Sequence, residues 1–165
     1  MCGIAGIVGK NFDNFSEIVI NKLKNKQFAI DIILTESAKN FISKEECFKL
    51  GANLVFDDLF DSELEDKIGH IELSRRSDLI LIYPATANII AKIAGGIADD
   101  LATTSILAAN KKIMLAPAMN VEMWHNKATA ENIKILEKNN IEIIGPEKGQ
   151  LACGEFGEGL SLIHI

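Results

Sequence analysis

The chain has 165 residues, 48% of them hydrophobic, which suits one domain with a full core. Its 17 Lys and Arg stand against 23 Asp and Glu, a net charge of −6 with no basic stripe, which argues against nucleic acid as a partner. No apolar run approaches the roughly 20 residues of a membrane span, and the start lacks the basic and long apolar regions of a secretory signal, so a cytoplasmic protein without membrane contact is expected. Cys2, Cys47 and Cys153 are an odd number without close spacing, which fits neither a disulfide framework nor a zinc site, so no metal is expected.

In chain order, Ile4 to Val8 is a short apolar run broken by Gly3, Gly6 and Gly9, and Phe15, Ile18, Val19 and Leu23 recur at helical spacing. This predicts strand, glycine turn, helix. Ala29 to Leu34 reads as a second strand, and Ser43 with Glu46 reads as a capping box opening a short helix that Gly51 closes. The acid-rich stretch Asn53 to Asp66 reads as irregular or partly helical. Asp78 to Tyr83 is a continuous apolar strand, stopped by Pro84 and buried on both faces of a parallel sheet. Helices over Thr86 to Ala94 and Ala98 to Ala109 follow, separated by Gly95-Gly96. A strand at Ile113 to Leu115, a helix over about Ala128 to Asn139 and a strand at Ile141 to Ile144 complete the pattern. Alternation of strands and helices predicts an α/β fold, a Rossmann-like (flavodoxin-like) parallel sheet with helices on both faces.

Three stretches carry candidate chemistry. Ala116 to Trp124, A-P-A-M-N-V-E-M-W, follows a strand and so places Asn120 on the rim where open α/β sheets bind ligands. An amide offers two donors and an acceptor without charge, and Met119, Met123 and Trp124 would wall it with polarizable surface. The plainer reading makes Asn120 the cap of the next helix and the Met and Trp side chains core. His70, in Gly69-His70-Ile71-Glu72-Leu73, can act as a base near neutral pH, although a lone His is more often a surface or capped residue. Leu151 to Gly159 holds three glycines beside Cys153, poor strand or helix material, and reads as a flap that closes over a ligand and brings a thiol with it, although most unpaired cysteines are small buried hydrophobes.

Taken together, these stretches resemble the homo-oligomeric flavin-containing cysteine decarboxylases. Pro117 to Trp124 matches that family's P-x-M-N-x-x-M-W motif and Gly69 to Leu73 its G-H-I-x-L context. Ala152 to Gly159 matches the A-C-G-x-x-G-x-G segment of the members that act on phosphopantothenoylcysteine. Pro84 to Asn88 is similar to the family's P-x-x-A-N-T, and Thr35 to Phe41 to its T-E-x-A-x-x-F. The resemblance covers Ala29 to Gly159 and implies an FMN-dependent decarboxylase, a carboxy-lyase that turns 4′-phosphopantothenoylcysteine into 4′-phosphopantetheine in coenzyme A biosynthesis. It implies catalytic roles for His70, Asn120 and Cys153. It implies FMN contacts at Gly6, Gly9, Thr35, Phe41, Thr86, Ala87, Asn88 and Ala118, and substrate contacts at Asn120, Met123, Ala152, Cys153 and Gly154. A homotrimer or dodecamer is implied as well. Two alternatives share the fold: a decarboxylase of C-terminal peptidyl cysteine, and a non-catalytic flavin-binding or regulatory subunit.

Two places depart from that pattern. The family's phosphate loop after the first strand, G-x-[ST]-G-[GS]-I-A-A, falls on Gly6 to Asp13, where Val8 replaces the hydroxyl residue, Lys10 the second loop glycine, and Phe12 and Asp13 small side chains. Weaker phosphate binding is expected there. Met1 to Gly9 also resembles the start of class II glutamine amidotransferases, but the remaining chain lacks the all-β pattern such a domain needs. The decarboxylase domain is therefore expected over 1–159. The tail 160–165, L-S-L-I-H-I, resembles a reading frame of a sequencing adapter, so a truncated chain and a lost downstream synthetase domain are expected.

Overall fold

A computed structural model of the chain describes residues 2–6, 25, 27–58, 70–150 and 156–160. Six strands form one parallel sheet: β1 (Cys2–Gly6), β2 (Ala29–Ile33), β3 (Leu54–Phe56), β4 (Leu79–Ala85), β5 (Lys112–Pro117) and β6 (Glu142–Ile143). Their spatial order is β3-β2-β1-β4-β5-β6. This is the Rossmann order rather than the flavodoxin one, and it reverses between β1 and β4, where such sheets open a crevice at their carboxyl ends.

Period-two alternation explains how one sheet buries two faces. In β2 and just beyond it, Ile30, Ile32 and Leu34 enter one apolar cluster with Cys47 and Val55, whereas Ile33 points the other way, into the larger cluster. Helix α1 (Lys44–Leu50) covers the first face through Cys47. Helices α2 (His70–Arg76), α3 (Ala87–Ala94), α4 (Leu101–Leu107) and α6 (Lys127–Lys138) cover the second through Leu73, Ile90, Leu101, Ile106 and Leu136. Strands β4 and β5 run through the middle, and Ile80, Ala85 and Leu115 are fully buried there. Asp31, also on β2, is buried with its Oδ2 at 3.7 Å from Nε of Arg76, which pins the end of α2 to the sheet.

Local signals worked where the expected partners are close in sequence. Ser43 caps α1 in a reciprocal box with Glu46, and Gly51 closes the helix at φ 102°, as the sequence predicts. Three expectations need correction. Leu54–Phe56, expected to be irregular or helical, is the edge strand β3, held by pairing with β2. Pro84 does not stop β4, which continues to Ala85; the pairing with β5 shifts register between Ile82 and Ala85, so the missing proline N–H falls where the ladder is already irregular. The glycine-rich Phe156–Leu160, expected to be poor strand material, is β8, and it pairs antiparallel with β7 (Glu147–Gln150) in a separate hairpin. The expected glycine turn and helix between Ile7 and Leu23 fall outside the described residues.

Candidate active site

Strand β5 delivers the A-P-A-M-N stretch to the carboxyl-end rim. Ala116 and Pro117 are buried, and the N–H of Ala118 donates to the Ala85 carbonyl at 2.9 Å, tying the ends of β4 and β5 together. The N–H of Met119 then donates to Gly159 of β8 at 3.0 Å. Asn120 caps α5 (Val121–His125): its Oδ1 accepts from the N–H of Glu122 at 2.8 Å and of Met123 at 3.3 Å. The cap is therefore real, and it also fixes which way the amide faces. Met119 packs against the large core cluster and Trp124 is half-buried, but Met123 is exposed, so the expected apolar wall around Asn120 is only partly built within the described chain.

Beside this rim lies a cleft of about 550 Å³, within the range of ligand sites, roughly 300–1,000 Å³. Thr35, Ser37, Pro84, Thr86 and Asn88 line it above a bed of Ile33, Ile80, Ile82 and Ile106. Thr35 Oγ1 accepts from the N–H of Ala38 at 3.2 Å, and Thr86 caps α3 by accepting from Ile89. The first turn of α3 presents N–H groups that have no carbonyl partner within the helix. Ser105, also in the lining, is 1% exposed and its Oγ has no hydrogen-bond partner among the described residues.

The lysine in the lining is already paired, and the acidic side chains around it outnumber it. Nζ of Lys92 lies 2.7 Å from Asp99 and 3.2 Å from Asp100, and the hydrogen bond to Asp99 pushes its pKa up. Burial works against ionisation of Asp100, but hydrogen bonds from Thr103 and Lys92 outweigh it and hold that carboxyl below the usual range. The cleft thus offers hydroxyls, an amide and helix N–H groups over an apolar bed, a set suited to a flat, polar-edged ring such as a flavin. Lys92, Ser37 and Ser105 were not singled out from sequence; isolated Lys and Ser residues carry no motif.

The hairpin packs on the other side of Asn120. Gly157 lies against Val121, and Nε2 of His125 is 3.6 Å from Glu158 Oε2, both side chains half in solvent. Thr35, Thr86 and Asn88 thus share one cleft, and Ala118 and Asn120 share the adjoining rim. Ala87 opens α3, whereas Phe41 follows a 3-10 turn (Ala38–Asn40) and is not among the cleft walls. Gly6 ends β1 opposite Ile82, and His70 opens α2. Gly9, Ala152, Cys153 and Gly154 fall outside the described residues. Cys47, which is described, is buried, and burial pushes its thiol up to about 11, so it is an inert core residue.

Comparison with known proteins agrees with this geometry. The coenzyme A biosynthesis bifunctional protein CoaBC of Vibrio vulnificus (strain YJ016) is 41% identical over 141 residues, 86% of this chain. The chain spans only 35% of that relative's length. Among solved structures, a PPC decarboxylase mutant complexed with pantothenoylaminoethenethiol superposes with a TM-score of 0.82 at 30% identity, over 97% of this chain and 90% of that one. The peptidyl-cysteine decarboxylase EpiD gives 0.78 at 29% identity, over 96% and 90%. The flavoprotein family itself matches over residues 16–162, nearly the whole of the sheet and the hairpin, and with the rim and cleft in place the chain belongs to that family.

Proposed function

We propose that the chain is an FMN-dependent decarboxylase of 4′-phosphopantothenoylcysteine, yielding 4′-phosphopantetheine for coenzyme A synthesis. The observation that carries this reading is the A-P-A-M-N stretch, on the rim beside a cleft of hydroxyls and an amide over an apolar bed, in a chain that follows the PPC decarboxylase structure over 97% of its length. The fit to a flavin rests on the cleft's apolar bed, its hydroxyls at Thr35 and Thr86, and the buried Ser105 Oγ, which has no partner among the described residues. Thr35, Thr86, Asn88 and the start of α3 would hold the ring, with Ala118 against it.

The substrate's amide nitrogen leaves its carboxylate without an electron sink, so carbon dioxide cannot leave directly. FMN, when bound, would supply the acceptor for a hydride from the carbon that bears sulfur and the donor that restores it. His70 accepts the thiol proton during that oxidation, which leaves a C=S group adjacent to the carbon that carries the carboxylate. Asn120 holds the carboxylate, its cap to α5 fixing the amide against rotation. When the C–C bond breaks, its electron pair moves toward sulfur, and Cys153 protonates the carbon that has lost CO2. Met123, Ala152 and Gly154 complete the substrate contacts.

The assembly is a homotrimer or dodecamer in this reading, and Met123 and Phe156, exposed at 47% and 72% beside the hairpin, support a face covered by another subunit. A fused synthetase domain in a longer protein is supported by the 35% coverage of the bifunctional relative. No helix among the described residues is long and apolar enough to cross a membrane, and a cytoplasmic location accords with the substrate. The test is the visible spectrum of the purified protein together with CO2 release from 4′-phosphopantothenoylcysteine and from a peptide ending in cysteine. Flavin bands and turnover of the small substrate support the reading. Turnover of the peptide alone shifts the substrate to the EpiD type, and flavin without any CO2 release leaves a binding subunit.

A further inference from the structure

The two glycines of β8 are needed for different reasons. Gly159 has φ 135°, a conformation side chains resist, and its carbonyl receives the N–H of Met119. Gly157 is not among the glycines with positive φ, so backbone freedom does not explain it. Space does: a Cβ at 157 would stand 2.9 Å from Cγ2 and 3.0 Å from Cγ1 of Val121. Val121 opens α5 immediately after Asn120, and a β-branched side chain on a helix is confined largely to one rotamer, so it has little room to turn aside.

We infer that Gly157 is a positioning residue. Its missing side chain lets β8 seat directly on Val121, so the hairpin and the Asn120 loop form one unit. Residues 151–155, which carry Cys153, run between Gln150 and Phe156, which are paired, so β7 follows a shift of β8. A methyl group at 157 pushes β8 away from α5 and lengthens the Met119 to Gly159 hydrogen bond. The catalytic consequence rests on the proposed role of Cys153: the thiol shifts relative to a substrate held by Asn120, and the product-forming half of the reaction slows more than CO2 release.

The experiment compares Gly157→Ala with Gly157→Ala/Val121→Ala in the full chain. Gly157→Ala is expected to speed hydrogen exchange at the Met119 amide and to slow turnover by about 10- to 100-fold, the scale of a displacement near 1 Å. In a single turnover, thiol product per CO2 released is expected to fall. Removing the Val121 methyls makes room for the new one, so the double variant is expected to recover both exchange protection and turnover. Should Gly157→Ala fail to fold, Val121→Ile presses on the same contact from the other side and is expected to give a milder form of both losses. Wild-type exchange and turnover in Gly157→Ala, or a double variant as impaired as the single, overturns the inference. If the wild-type protein releases no CO2, the functional reading fails, while Met119 exchange across the same variants still decides the contact.

Discussion

The rim at Pro117 to Met123 and the β7–β8 hairpin meet at Asn120, yet they are held by different physics. The rim continues from Leu115, which is fully buried, and is closed by hydrogen bonds to residues two and three positions away. The described attachments of the hairpin come from far along the chain: one backbone hydrogen bond to Met119, the Gly157 contact with Val121, and the 3.6 Å pair between His125 and Glu158. An exposed contact of that kind contributes at most about 1 kcal/mol. One half of the site is therefore a rigid extension of the core, and the other is an arm seated on it by contacts between residues distant in sequence.

The largest expected effect tests the rigid half. Asn120→Asp keeps a cap of equal quality, so the melting temperature should not change, while a carboxylate now faces the substrate's own. Like charges in such a site cost several kcal/mol, so kcat/KM should fall by more than about 100-fold. Retained CO2 release at the wild-type melting temperature would reduce Asn120 to a cap and nothing else. Leu115→Ala should do the reverse. Emptying that buried position costs about 2–5 kcal/mol of stability, read as a lower denaturant midpoint, with turnover retained at temperatures where the protein stays folded.

The third change asks whether cofactor affinity depends on a segment outside both halves. Replacing Val8 to Asp13 by Thr-Gly-Gly-Ile-Ala-Ala should tighten FMN binding by about 1–3 kcal/mol, the worth of one or two charge-assisted hydrogen bonds. Equal affinities in titrations of apo-protein would place the phosphate elsewhere. The smallest effect belongs to the arm: Glu158→Gln should cost at most about 1 kcal/mol and leave CO2 release intact. A loss beyond that in thermal unfolding would mean that the arm is fastened more firmly than its contacts imply.

How much the sequence disclosed follows the same division. Ser43, Glu46 and Gly51 announce α1 because caps act within one turn, and the apolar run after Asp78 announces β4 because a strand buried on both faces needs no alternation. Asn120 on its rim was legible for the same reason. Leu54–Phe56 was not, since three apolar residues in an acidic stretch gain strand character only by pairing with β2. Phe156–Leu160 was not either: its glycines have low strand propensity, and the pairing with Glu147–Gln150 overrides it. Thr35, Thr86 and Asn88 were each legible as candidates, but their meeting in one cleft depends on a strand order that no local signal encodes.

The brevity of the outer strands has a consequence for how the molecule behaves when concentrated. Among the described residues the sheet ends in β3, three residues long, and β6, two residues long, and one residue after β6 come Gly145 and Pro146. A long flat edge is a template on which a neighbouring chain can extend the hydrogen-bond ladder. These edges show too few N–H and C=O groups to start one, and at β6 the Lys112–Glu142 ion pair adds charge to the margin. The interior strands can therefore be almost wholly apolar without inviting stacking into fibrils.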